Sequence, residues 1–167
     1  SATKAGLHSF TLSLRYQLEA ELAGVLIPEP APQRHTDALW RHTCFEAFVG
    51  RANGEYREYN FSPSGAWAAY HFRGYREGML PLAASQPPSL RWRGGEDLLE
   101  LDVTFDLSGL WQPATRGLRL GLAAVIEDST RVLSYWALSH PLAKPDFHHG
   151  GGFVLDLDRP ATIKLGE

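Results

Sequence analysis

Apolar and polar residues alternate with a period of two along much of this chain, and that period predicts strands. Leu12, Leu14, Tyr16 and Leu18 alternate over residues 9–18. Leu99, Leu101, Val103 and Phe105 alternate with Glu100, Asp102 and Thr104. Leu118, Leu120, Leu122, Ala124 and Ile126 mark a further strand, which Glu127 to Thr130 turns into residues 131–138. Phe153, Leu155 and Leu157 predict a late strand, and residues 161–165 a last one. Residues 22–27 (LAGVLI) are a short apolar run, which Pro28, Pro30 and Pro32 end. Residues 74–89 and His140 to Gly152 read as loops, and Asp106 is placed to cap one helical turn at 107–111. No segment carries a helical period. Short strands divided by turn signals predict an all-β fold, a two-sheet antiparallel β-sandwich of jelly-roll or immunoglobulin-like kind. Its expected core holds Leu99, Leu101, Val103, Phe105, Leu118, Leu120, Leu122, Phe153 and Leu155.

The stretch from Trp40 to Arg76 sets the geometry of the candidate site. Asn53-Gly54 is a strong hairpin signal. A two-residue loop would pair Ala52 with Glu55. A three-residue loop with Gly54 as a left-handed bulge would pair Arg51 with Glu55. The second register gives the cleaner apolar face: Phe45, Ala47, Val49, Tyr59 and Phe61 on one side, Glu46, Phe48, Glu58 and Asn60 on the other. It also sets Glu46 directly across from Asn60. Ser62-Pro63-Ser64-Gly65 then turns the chain into a strand over 66–73. Ala66, Ala68, Tyr70 and Phe72 share one face of that strand, and Trp67, Ala69, His71 and Arg73 the other. The expectation is that Trp67 and His71 join Glu46 and Asn60 on the polar side.

The 167 residues suit one domain spanning 1–167. A formal net charge of -3 argues against a nucleic-acid surface, which needs a basic excess. The single cysteine, Cys44, cannot form an internal disulfide, which fits the cytoplasm. The first residues lack the apolar core of a signal peptide, yet the chain begins without Met, so a processed leader and a periplasmic location stay open. No apolar run reaches the 18–20 residues or so that span a bilayer, so no membrane partner is expected.

Four constellations carry candidate chemistry. Glu46, Asn60, Trp67 and His71, with Trp40, Arg41, Tyr75 and Arg76 at the strand ends, join aromatic platforms to polar groups. Such a set matches the apolar faces and hydroxyl rim of a sugar; the alternative is that both tryptophans are core. In the loop from His140 to His149, Phe147 is expected inward and His148 toward the site. The histidine spacing there fits no structural zinc motif, so no metal is expected. Met79 with His148 or His149 offers axial ligands for a b-type haem, and no C-x-x-C-H stands here for covalent attachment. Glu46 and Glu58, on one face, are the residue types of a glycosidase acid–base pair.

The segments LWRHTCFEAFVG, EYREYNFSPSGAWAAYHFRGYREGM and YWALSHPLAKPDFHH resemble bacterial DOMON-like domain proteins, related to family 9 carbohydrate-binding modules and DOMON cytochrome domains. The likeness spans nearly the whole chain. It rests on Trp40, Cys44, Glu46, Tyr59, Asn60, Ser62, Pro63, Trp67, Tyr75 and Arg76, and on His140, Lys144, Pro145, Asp146, Phe147 and His148. It implies a sandwich that binds sugar or haem. A sugar clamp would use Trp67 with Trp40 or Trp136; haem would use Met79 and His148. The leading expectation is a non-catalytic binding domain for a carbohydrate or similar polyol, without cofactor. Its candidate site is Trp40, Glu46, Asn60, Trp67, Tyr75, Arg76, Trp136 and His148. The alternatives are a b-type haem domain and a small glycoside-processing enzyme.

Overall fold

Strands dominate because β-branched, aromatic and alternating apolar residues fill short runs between Gly and Pro turns. The computed structural model describes residues 11–82, 87–107 and 117–157. Ten strands appear among them: β1 (Thr11–Glu19), β2 (Cys44–Gly50), β3 (Tyr56–Phe61), β4 (Trp67–Phe72), β5 (Leu80–Pro81), β6 (Ser89–Gly94), β7 (Leu98–Asp106), β8 (Arg119–Glu127), β9 (Leu133–Ala137) and β10 (Leu155–Asp156). One sheet has the order β1-β7-β6. The other runs β10-β8-β2-β3-β4-β5, with β9 also paired to β8. All pairings are antiparallel, and the two sheets pack as a β-sandwich.

The core between the sheets follows from the two-residue period. Tyr16 of β1 and Leu99, Leu101, Val103 and Phe105 of β7 meet Phe45, Ala47, Val49, Tyr59, Phe61, Leu120 and Ala124 of the larger sheet. The opposite side of the smaller sheet is polar. There Arg15 Nε donates to Asp102 at 2.6 Å and Gln17 Nε2 to Glu100 at 2.7 Å.

The β2–β3 hairpin takes the bulged register. Arg51 N donates to Glu55 O at 2.9 Å, Gly54 N donates to Arg51 O, and Gly54 has φ +90°. Glu46 lies opposite Asn60 and Phe45 opposite Phe61. The β3–β4 hairpin repeats the device: Ser62 N donates to Ala66 O and Gly65 N to Ser62 O, with Gly65 at φ +96°.

Four expectations change. The segment 89–94, absent from the sequence reading, is edge strand β6; Leu90 and Trp92 pack against the core while its arginines face solvent, a pattern that charge obscures. The loop over 74–89 is interrupted by β5, which pairs with Tyr70 and His71 of β4. The LAGVLI run forms a 3-10 turn at Leu22–Gly24 and one bridge, Val25 to Asp128. Phe153 lies outside the inter-sheet core, on the far face of the larger sheet. Glycine makes its seat: a Cβ at Gly50 would come within 2.6 Å of the Phe153 ring, and one at Gly121 within 2.8 Å. The helical turn at 107–111 and the strand at 161–165 fall on residues outside the described set, save Leu107.

Candidate functional site

The central strands of the larger sheet, β2, β3, β4 and β8, are buried on both faces. The sheet's inner face meets the smaller sheet, whereas its outer face is roofed by three loop segments. Residues 35–43 bring Asp37, Leu39 and Trp40; the Tyr70 hydroxyl donates to Asp37 Oδ1 at 2.6 Å, and Trp40 packs edge-on to Tyr70 at 5.9 Å. Residues 73–79 bring Tyr75, Arg76 and Met79. The chain from His140 to Phe153 brings Phe147 and His148, anchored by Phe153 stacked on Phe48 at 5.8 Å. Between sheet and roof lies a cavity of about 400 Å³. Aromatic residues Trp40, Phe72, Tyr135 and Phe147 wall it, with Val125, Pro145 and Met79; Glu46, Glu58, Arg76 and His148 are its polar groups.

The floor is acidic. Glu46 of β2 is 3% exposed and its carboxyl has no hydrogen-bond partner among the described residues. Glu58 of β3, 4% exposed, accepts from Asn60 Nδ2 at 2.8 Å. Asn60 Oδ1 is buried without a donor. Burial pushes the Glu46 carboxyl well above the usual range, and the neighbouring Glu58 adds to the rise. Burial also raises Glu58, against the opposing pull of Asn60 and Arg76.

A hydrogen-bond chain fixes the roof. The backbone N–H of Arg76 donates to the Tyr56 hydroxyl at 3.1 Å, and that hydroxyl lies 2.8 Å from His148 Nδ1. Burial, then the charge of Arg76, lowers His148 to about 4, so the imidazole is neutral at pH 7. Tyr56 therefore donates to Nδ1, and the ring proton sits on Nε2, 3.7 Å from Glu58 Oε2. Arg76 has φ +54°, unusual for a residue with a Cβ. Its guanidinium donates to Asp146 Oδ1 at 2.8 Å, and the Tyr75 hydroxyl donates to Asp146 Oδ2. Asp146 also accepts from His148 N at 3.1 Å. Burial acts against ionisation of Asp146, but the bonds from Tyr75 and Arg76 outweigh it and hold the carboxyl below its usual range.

Of the expected site residues, Trp40, Glu46, Arg76 and His148 line the cavity, as does Met79. Asn60 stands behind Glu58, and Tyr75 lies at the rim through Asp146. Trp67 is on the other side of the sheet, 7% exposed in the inter-sheet core, and pairs with Phe61; His71 shares that side. The reason is the three-residue loop Pro63-Ser64-Gly65, which pairs Phe61 with Trp67 and turns Ala68, Tyr70 and Phe72 toward Glu46. Trp136 is displaced by the same parity. Val125 faces Tyr135 across the β8–β9 pair, so Tyr135 enters the cavity while Trp136, half exposed, donates from Nε1 to Ser134. The roof loop covers the Arg76 end as expected, but not Trp67. Phe72, Tyr135, Val125 and Pro145 were missed. Gly65, placed as Gly54 is in its own loop, was the available signal for Phe72.

Met79 and His148 share the cavity, yet this geometry does not suit haem ligation. Tyr56 occupies the imidazole lone pair and Nε2–H faces Glu58, leaving His148 no free nitrogen for iron.

No protein-family model matches the chain. No curated protein matches it either. Among solved structures the fold resembles that of a putative carbohydrate-binding protein from Bacteroides uniformis ATCC 8492, at 16% identity and a TM-score of 0.50, over 88% of this chain and 72% of that one. At this identity the likeness is one of β-sandwich fold.

Proposed function

We propose that the cavity on the outer face of the larger sheet binds a carbohydrate or similar polyol, and that the domain leaves its ligand unchanged. The observation that carries this reading is Glu46: a buried carboxyl without a protein partner, opening into a cavity walled by aromatic rings. Buried polar groups are normally hydrogen-bonded, and a ligand hydroxyl entering the cavity would give this carboxyl a partner. Ring faces suit the C–H surface of a sugar, and about 400 Å³ lies in the range of small-molecule sites. The resemblance to DOMON-like and family 9 carbohydrate-binding domains agrees with this reading. So does the printed description of the fold neighbour as a putative carbohydrate-binding protein. A glycan array followed by calorimetric titration tests it. Retention of a defined set of sugars, weakened at least tenfold by Glu46→Gln, is expected; a protein that binds no glycan on the array contradicts the proposal.

One observation favours a second reading, glycoside hydrolysis: Glu46 and Glu58 share the cavity. Glu58 is diagonal to Glu46 across the β2–β3 pair, which sets their side-chain roots about 7 Å apart. Both rise from the same floor, however, whereas a catalytic pair flanks the scissile bond. Turnover of aryl glycosides, lost in both Glu46→Gln and Glu58→Gln, would decide for the enzyme.

A further inference from the structure

We propose that the ligand of this cavity carries a protonated primary amine seated against Glu46 and Glu58, which makes an amino sugar the preferred class. The inference rests on the polyol reading and sharpens it. Carboxyl oxygens dominate the deep end of the cavity, and the His148 Nε2–H, 3.7 Å from Glu58 Oε2, is the protein donor beside them. Glu46 has no hydrogen-bond partner among the described residues. Glu58 has one bond, from Asn60 Nδ2, and Asn60 Oδ1 is buried without a donor.

Among the described residues no lysine or arginine forms an ion pair with Glu46 or Glu58, and Arg76 acts on Glu58 only through its charge. Arg76 reaches out to Asp146, with its side chain 53% exposed at the rim. His148 is held neutral by burial and by the charge of Arg76. A hydroxyl would donate one hydrogen bond and bring no charge to let both buried carboxyls ionise. An ammonium brings three donors, no acceptor and the missing positive charge. Trp40 and Phe72 stand beside the floor, and aromatic faces favour a cation as well as a sugar ring. Burial raises both carboxyls and the neighbouring Glu58 raises Glu46 further, a strain that a bound cation relieves.

The test is calorimetric titration at about pH 7 with four probes: glucosamine, glucose, N-acetylglucosamine and 1,5-diaminopentane. Glucosamine is expected to bind about tenfold or more tightly than glucose and N-acetylglucosamine, with Glu46→Gln narrowing that gap to about twofold. Thermal melting checks that the variant is folded, and Glu58→Gln serves if it is not. Equal binding of glucosamine and glucose overturns the amine and leaves the polyol reading in place. Binding of the diamine without any sugar keeps the ammonium seat and overturns the polyol reading. Binding of none of the four overturns both.

Discussion

The two faces of the larger sheet are built from the same strands and are both buried, yet they differ in kind. On the inner face Phe45, Ala47, Val49, Phe61, Trp67 and Ala69 pack on β1 and β7, in a core of regular alternation. On the outer face, one residue out of phase, Glu46, Glu58 and Asn60 lie among Phe48, Tyr56, Ala68 and Tyr70. Closely packed apolar side chains stabilise a fold; buried carboxyls do not, unless they are paired. The inner face therefore holds the molecule together, and the outer face carries polar groups that the proposed ligand would pair. What covers each face differs accordingly: a sheet over the core, loops over the cavity.

Mutations should divide along that line. Trp67→Ala removes a core side chain and is expected to cost about 3–5 kcal/mol of unfolding free energy, read by chemical denaturation; a loss below about 1 kcal/mol would place Trp67 outside the core. Acid gives the next largest effect. His148 titrates at about 4 in the fold against 6.5 in the unfolded chain. Between those values the unfolded state binds the extra proton, so stability rises with pH and is lost on acidification, by up to about 3 kcal/mol. Glu46 and Glu58 act in the opposite sense: their raised values mean that the native state binds more protons above pH ~4.5, so their share of stability falls as pH rises. Urea titrations of wild type and His148→Gln at pH 7 and at about pH 4 separate the two. The variant should lose much less stability on acidification, and an unchanged slope would refute the assignment.

Glu46→Gln is the outer-face counterpart of Trp67→Ala. It should leave stability unchanged or raise it by about 1 kcal/mol, since an unpaired buried acid is removed at nearly constant volume. A drop of several kcal/mol would mean that Glu46 is structural. The smallest effect belongs to the rim. Arg76→Ala breaks a half-exposed ion pair with Asp146 and should cost about 0.5 kcal/mol.

The inner face was legible in the sequence because burial there has a period. Leu99 to Phe105 and Leu118 to Ile126 needed only alternation, and the bulged register followed from Asn53-Gly54 and the apolar pattern. The outer face was legible in part. Glu46 pairs with Asn60 as the register predicts, and Trp40, Arg76 and His148 line the cavity together. Trp67 was assigned one residue out of phase, because the loop at Pro63-Ser64-Gly65 was not read as the bulged turn already recognised at Gly54. Trp136 drew notice by size, while its smaller neighbour Tyr135 has the parity that faces the cavity. The roof was legible in its placing of His148 at the Arg76 end, but not in its contacts. Tyr56 and His148 lie 92 positions apart, and no local pattern encodes a contact between a strand and a distant loop.

The central claim is that ligand binding belongs to the outer face. An amide-resolved NMR titration with glucosamine tests it most directly. Shifts are expected at Glu46, Glu58, Phe72, Tyr135 and His148, with Leu101 and Val103 of the inner core unmoved. Shifts confined to other surfaces, or to the Trp67 end of the inner face, would contradict it.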